Sequence, residues 1–217
     1  AKASGFDGVQ IHAAHSYLLS QFLSGFYNTR EDEYGGTIEN RGRFLIEVYE
    51  EIRKQVGDAF PVTAKINSED FLDSGLTVDE MVAVSKMLEG KGIDAIEMSG
   101  GTFDSGRNFF SRKGTAKAIE NEAYYRDAAR RFKDEIKIPL ILVGGLLSYE
   151  TVQDVIGSGL ADFVSFSRPL IREPGLAARW ESGDTKKAAC ICCNKCFGTL
   201  FTEEGLSCAA EKKGSRS

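Results

Sequence analysis

The chain holds two histidines, and they stand three residues apart: His12 and His15, with Tyr17 two positions further on. Just before them Val9 and Ile11 alternate with Gln10, the pattern of a strand of about five residues buried on at least one face. Two imidazoles and a phenol therefore fall where a strand gives way to a loop, the place where parallel α/β barrels build their active sites. Read as metal ligands, the pair lacks a carboxylate at a zincin-like spacing. Read as structure alone, one ring packs into the core and the other is solvated.

Three further groups carry potential chemistry. Lys65 sits mid-way along an apolar run with Thr63 and Asn67 on the same parity, so it either projects a charge inward or snorkels to a strand end. Gly144-Gly145 and Ser167-Arg168 each follow an apolar run; bare backbone N–H groups with an arginine suit a phosphate, and two glycines alone suit a tight turn. The cysteines spell Cys190-x2-Cys193-x2-Cys196-x11-Cys208, with Cys192 as a spare. Four thiolates at these gaps suit an iron–sulfur cubane, a tetrahedral zinc ion, or reduced structural thiols.

The elements that must position these groups repeat as strand, loop, helix. Residues 61–67, 95–99, 139–143 and 161–167 are apolar runs expected as strands after the first at 9–11. Helices are expected from Thr37 to Val56, from Thr77 to Glu89, over 122–136, and from a Ser148 cap to Gly157, with Arg168-Pro169 opening a final loop. Continuously apolar strands alternating with helices predict a parallel sheet covered on both faces. Residues 1–5 read as the last turn of a helix with Gly5 as its C-cap, so the chain is expected to begin in mid-domain. At 217 residues, 42% hydrophobic and 27% charged, the composition is that of an ordinary globular domain. A formal charge of −5 argues against nucleic-acid binding, and no apolar run is long enough to span a bilayer. A cytoplasmic location is expected.

The His12-x2-His15-x-Tyr17 segment resembles the signature of the old yellow enzyme family, the FMN-dependent ene-reductases, and the match continues through Asn28-Thr-Arg30 to Gly36-Thr-Ile-Glu-Asn40-Arg41. The resemblance implies a TIM (β/α)8 barrel of which this chain covers strands four to eight, with about 150 residues expected ahead of it. It implies that His12 and His15 donate hydrogen bonds to the carbonyl or nitro oxygen of an electron-poor alkene, and that Tyr17 delivers a proton to its α-carbon. Lys65 would lie over the pyrimidine edge of FMN, where the family usually has arginine, and Gly144, Gly145, Ser167 and Arg168 would hold the FMN phosphate. Relatives resembling 2,4-dienoyl-CoA reductase and trimethylamine dehydrogenase hold a [4Fe–4S] cluster at a spacing close to that of Cys190, Cys193, Cys196 and Cys208.

The expected function is thus reduction of an enone-type acceptor by NAD(P)H. The alternatives are an inactive half-barrel fragment and an iron–sulfur electron-transfer module. The barrel part is expected over 1–182 and a Cys-rich segment over 183–217. The expected partners are a small-molecule substrate and either a second copy of the chain or the missing half of the barrel.

Overall fold

A computed structural model describes residues 1–203 and 205–211; Glu204 and residues 212–217, the end of the expected Cys-rich segment, lie outside the described residues. Five strands, β1 (Val9–Ala13), β2 (Val62–Asn67), β3 (Ala95–Ser99), β4 (Leu140–Val143) and β5 (Phe163–Ser165), form one parallel sheet in the order β1-β2-β3-β4-β5. Among the described residues seven α-helices accompany them: α1 (Leu18–Leu23), α2 (Ile38–Val56), α3 (Val78–Gly90), α4 (Arg126–Glu135), α5 (Tyr149–Gly157), α6 (Arg168–Arg172) and α7 (Leu176–Glu181).

Strand order that follows sequence order means every crossover steps the same way, which keeps the helices on one side. The expectation of helices on both faces is thus corrected. Side chains of one parity, Ile11, Ala13, Val62, Ala64, Ile66, Ile96, Met98, Leu140 and Leu142, join a single core with Leu45, Tyr49, Met81, Leu88 and Phe132 of the helices. The other parity points to what is the interior of a closed barrel. Across that face the register aligns His12, Lys65, Glu97, Ile141 and Phe163 in one row.

Local signals explain the element ends. The Thr37 side chain accepts from Asn40 N at the start of α2, and Gly57 takes φ 79° beyond its end, where a side chain would be strained. At α3, Thr77 and Glu80 form a reciprocal capping box. Three expectations need correction. The helix expected from residue 122 begins at Arg126, because the Glu122 carboxylate is occupied elsewhere, accepting from Leu147 N, Ser148 N and Ser148 Oγ at 2.7–3.0 Å. Ser148 therefore donates to Glu122 and makes no side-chain cap on α5. The fifth strand spans three residues, and Arg168-Pro169 opens α6, with proline in the first turn where its missing N–H costs nothing.

A second, smaller core joins Leu147 to Leu176, Trp180, Ala188 and Cys192, anchoring the C-terminal segment to the sheet's end. Among the described residues no helix is long and apolar enough to cross a membrane.

Candidate active site

The β1–α1 turn sets the two histidines. His15 and Ser16 both adopt left-handed backbone (φ 62° and 63°), a conformation that L-residues take only when the surroundings hold them there. Here His15 N donates to Asn67 Oδ1 at 3.2 Å, and Ser16 Oγ accepts from Phe103 N at 3.1 Å. The His15 ring is 8% exposed. It stacks on Phe110, with centroids 4.5 Å apart, and its Nε2 lies 2.7 Å from Ser99 Oγ.

His12 stands edge-on to His15, with ring centroids 5.4 Å apart. Its Nδ1 accepts from Ala14 N at 3.3 Å. A nitrogen that accepts carries no proton, so the neutral ring holds its hydrogen on Nε2.

Both imidazoles are held neutral at ordinary pH. Burial lowers the His15 pKa to about 3, with Lys65 and His12 adding to the effect. Burial and then Lys65 lower that of His12, against an opposing pull from Glu97. A neutral imidazole offers one N–H donor without bringing a positive charge to the cavity.

One cavity of about 320 Å³, within the usual range for small-molecule sites, gathers most of the residues singled out from sequence. His12, His15 and Lys65 line it from β1 and β2, and Gly144, Gly145, Ser167 and Arg168 from the turns after β4 and β5. Tyr17 stands beside it, half exposed as the N-cap of α1, with its ring 4.8 Å from that of His12.

Two neighbours of these residues escaped the sequence reading. Glu97 pairs with Lys65 at 2.8 Å and also accepts from Gln10 Nε2 at 3.0 Å, so the lysine charge is balanced within the sheet. Ser99, the second, fixes His15 together with Asn67, which the sequence already places on the parity of Lys65. Their signal was parity: Glu97 and Ser99 alternate along β3 in register with Lys65 and Asn67 of β2.

The glycines do more than admit a ligand. Gly144 and Gly145 take φ 122° and 70°, and a β-carbon on either would press within 2.8 Å of the Tyr124 ring. Arg168 Nη1 donates to Arg112 O at 2.9 Å and to Asn194 Oδ1 at 2.7 Å, which ties the phosphate-type turn to the Cys-rich segment. The set as it stands fits FMN. Arg168 brings positive charge to the cavity wall, Lys65 an ammonium donor paired with Glu97, the neutral imidazoles bring N–H donors, and the glycines leave backbone N–H groups uncovered by their own side chains.

Behind Arg168 lies a second cavity of about 190 Å³, lined by Cys190, Cys193, Cys196 and Cys208. All five cysteines are free thiols. Cys192 lines the first cavity and the smaller core while its thiol is hydrogen-bonded to that of Cys190, and Cys196 lines both cavities. Among the described residues no three potential ligands stand close enough together to hold a single metal ion.

Comparison with known proteins adds the following. The sequence profile of the NADH:flavin oxidoreductase / NADH oxidase family matches residues 1–187. The chain is 33% identical to the cinnamate reductase of Clostridium sporogenes over 96% of its length, and 32% identical to the NADH oxidase of Thermoanaerobacter brockii over all of it. It spans 33% of the length of each of those relatives. Among solved structures, a 2-naphthoyl-CoA reductase complex superposes with a TM-score of 0.80 at 28% identity, over 94% of this chain and 31% of that one.

Proposed function

Because the chain belongs to the NADH:flavin oxidoreductase / NADH oxidase family, and its five-strand parallel sheet is part of the TIM barrel of that family's old yellow enzyme branch, we propose that the whole protein uses FMN and NAD(P)H to reduce the C=C bond of an α,β-unsaturated carbonyl or similar electron-poor acceptor. The observation that carries this reading is the meeting of His12, His15, Lys65 and the two phosphate-type turns in one cavity. Two relatives support the acceptor class by name, one a cinnamate reductase and the other a 2-naphthoyl-CoA reductase.

When bound, FMN supplies the two-electron hydride chemistry. His12 presents Nε2–H, its tautomer set by the Ala14 amide, to an acceptor oxygen on which negative charge grows as reduction proceeds. His15 completes that donor pair, its ring held by Phe110 and Ser99. Tyr17, beside His12, supplies the proton to the α-carbon. Lys65, its ammonium held in place by Glu97, would present an N–H donor to the cofactor at the cavity wall. Gly144, Gly145, Ser167 and Arg168 hold the phosphate.

We further propose that Cys190, Cys193, Cys196 and Cys208 hold a [4Fe–4S] cluster. What supports this reading is that all four line one cavity and stand at a spacing that suits a cubane.

The test uses the full-length protein. Its absorption spectrum should show flavin bands over a broad iron–sulfur shoulder. Replacing His12 and His15 together by alanine should cut enone reduction by at least about a hundredfold, the cost of a lost oxyanion donor, while the flavin bands stay. Turnover unchanged in that variant removes the imidazoles from the reaction.

A further inference from the structure

The loop that roofs the cavity carries charge that the reaction above leaves unused. Between Asp104 and Glu120 there is no acidic residue, yet Arg107, Arg112, Lys113 and Lys117 all fall there, in a chain of net charge −5. Elsewhere cations such as Arg41, Arg53, Lys91 and Arg126 are matched to carboxylates. Arg112 is turned to the protein, its guanidinium 4.3 Å from the Tyr124 ring and 4.9 Å from that of Phe71.

Arg107 and Lys113 face an open cavity of about 550 Å³, which they line with Phe109, Ser111, Asn194 and Phe197. No carboxylate lines it among the described residues. Ser111 and Phe197 also line the histidine cavity, so the two spaces are neighbours sharing a wall. An aromatic floor connects them: Phe109 lies 4.0 Å from Phe110, and Phe110 stacks on His15.

We propose that this outer cavity binds the anionic end, carboxylate or phosphate, of an extended reactant whose other end lies against His12 and His15. Two cations at a concave rim, without a carboxylate partner among the described residues, attract an anion and do little for a neutral group. The phenylalanines give a planar or acyl body a surface to cross between them. The inference rests on the oxidoreductase reading, and two reactants have the required chemistry: an anionic acceptor, or the pyrophosphate of the pyridine nucleotide.

In the full-length FMN-loaded protein, the double variant Arg107→Gln/Lys113→Gln should raise KM for 4-(4-carboxyphenyl)but-3-en-2-one, an enone whose carboxylate lies across the ring from the conjugated ketone, about five- to tenfold, the sum of two exposed charge contacts, and leave KM for the matching carboxamide where it was. The difference should shrink as ionic strength rises to about 1 M, where the Debye length is about 3 Å. Calorimetry with the unreactive saturated ketone 4-(4-carboxyphenyl)butan-2-one and its carboxamide should show the same split in Kd without any turnover. A rise in KM for NADH with the carboxylate-bearing enone unaffected assigns the rim to the reductant, and the proposal stands. Equal weakening of charged and neutral acceptors, or no change in any of these constants, overturns it. Wild-type protein that reduces neither acceptor defeats the oxidoreductase reading alone, since the calorimetric split still reports on the rim.

Discussion

His15 couples the site to the stability of the fold. An imidazole titrates near 6.5 in the unfolded chain and at about 3 in the folded one, chiefly because it is buried. Over that window the unfolded state binds a proton that the native state refuses. Stability is therefore fully present above pH 6.5 and declines as pH falls, with a slope approaching about 1.4 kcal/mol per pH unit. The lowered pKa of His12 acts in the same direction. Urea unfolding followed by circular dichroism should show the midpoint dropping between pH 6.5 and 5, and His15→Asn should flatten that dependence. A variant as pH-sensitive as the parent would assign the slope to other groups. Lys65 and the histidines were legible in the sequence because such residue types are rare on an apolar strand. Glu97 was not, since a lone carboxylate between Ile96 and Met98 finds its partner only when β3 is laid beside β2 in register.

At the scale of elements, the motif from Asn28 to Arg41 acts as scaffold. Asn28 Nδ2 donates to Phe22 O and Tyr34 O, both at 2.7 Å, and closes the loop between α1 and α2. Buried Arg41 donates to Gly36 O and Leu23 O and pairs with Glu80, binding α1, α2 and α3 together. Arg41→Met keeps the length of the side chain but strands a carboxylate and two carbonyls, so a loss of about 3 kcal/mol is expected in chemical denaturation. A loss below about 0.5 kcal/mol would show that water replaces the guanidinium at no cost.

Helix and strand positions were largely readable, because caps and apolar period agree: Thr77 with Glu80 marked α3, and residues 95–99 marked β3. The start of α4 was not readable. It depends on a contact across 25 residues, from the Glu122 carboxylate to Leu147 N, that no local pattern announces.

For the whole molecule, the decisive feature is a sheet whose strands run in sequence order and whose β1 and β5 each lie at an edge. Unpaired edges with apolar side chains invite association with other strands. Phe163, on β5 and 58% exposed, is the apolar group most directly on such an edge. The 217-residue chain studied alone should sediment with concentration-dependent association, and Phe163→Lys should reduce it. Ideal monomeric behaviour of both forms would mean that the edges are already satisfied.

The alternation along β2 has a last consequence. Val62, Ala64 and Ile66 face the helices, while Thr63, Lys65 and Asn67 look the other way. Durability and reactivity are written on alternate letters of the same short word, so a directed-evolution campaign can randomise one set to change what the protein transforms while leaving untouched the set that keeps it folded.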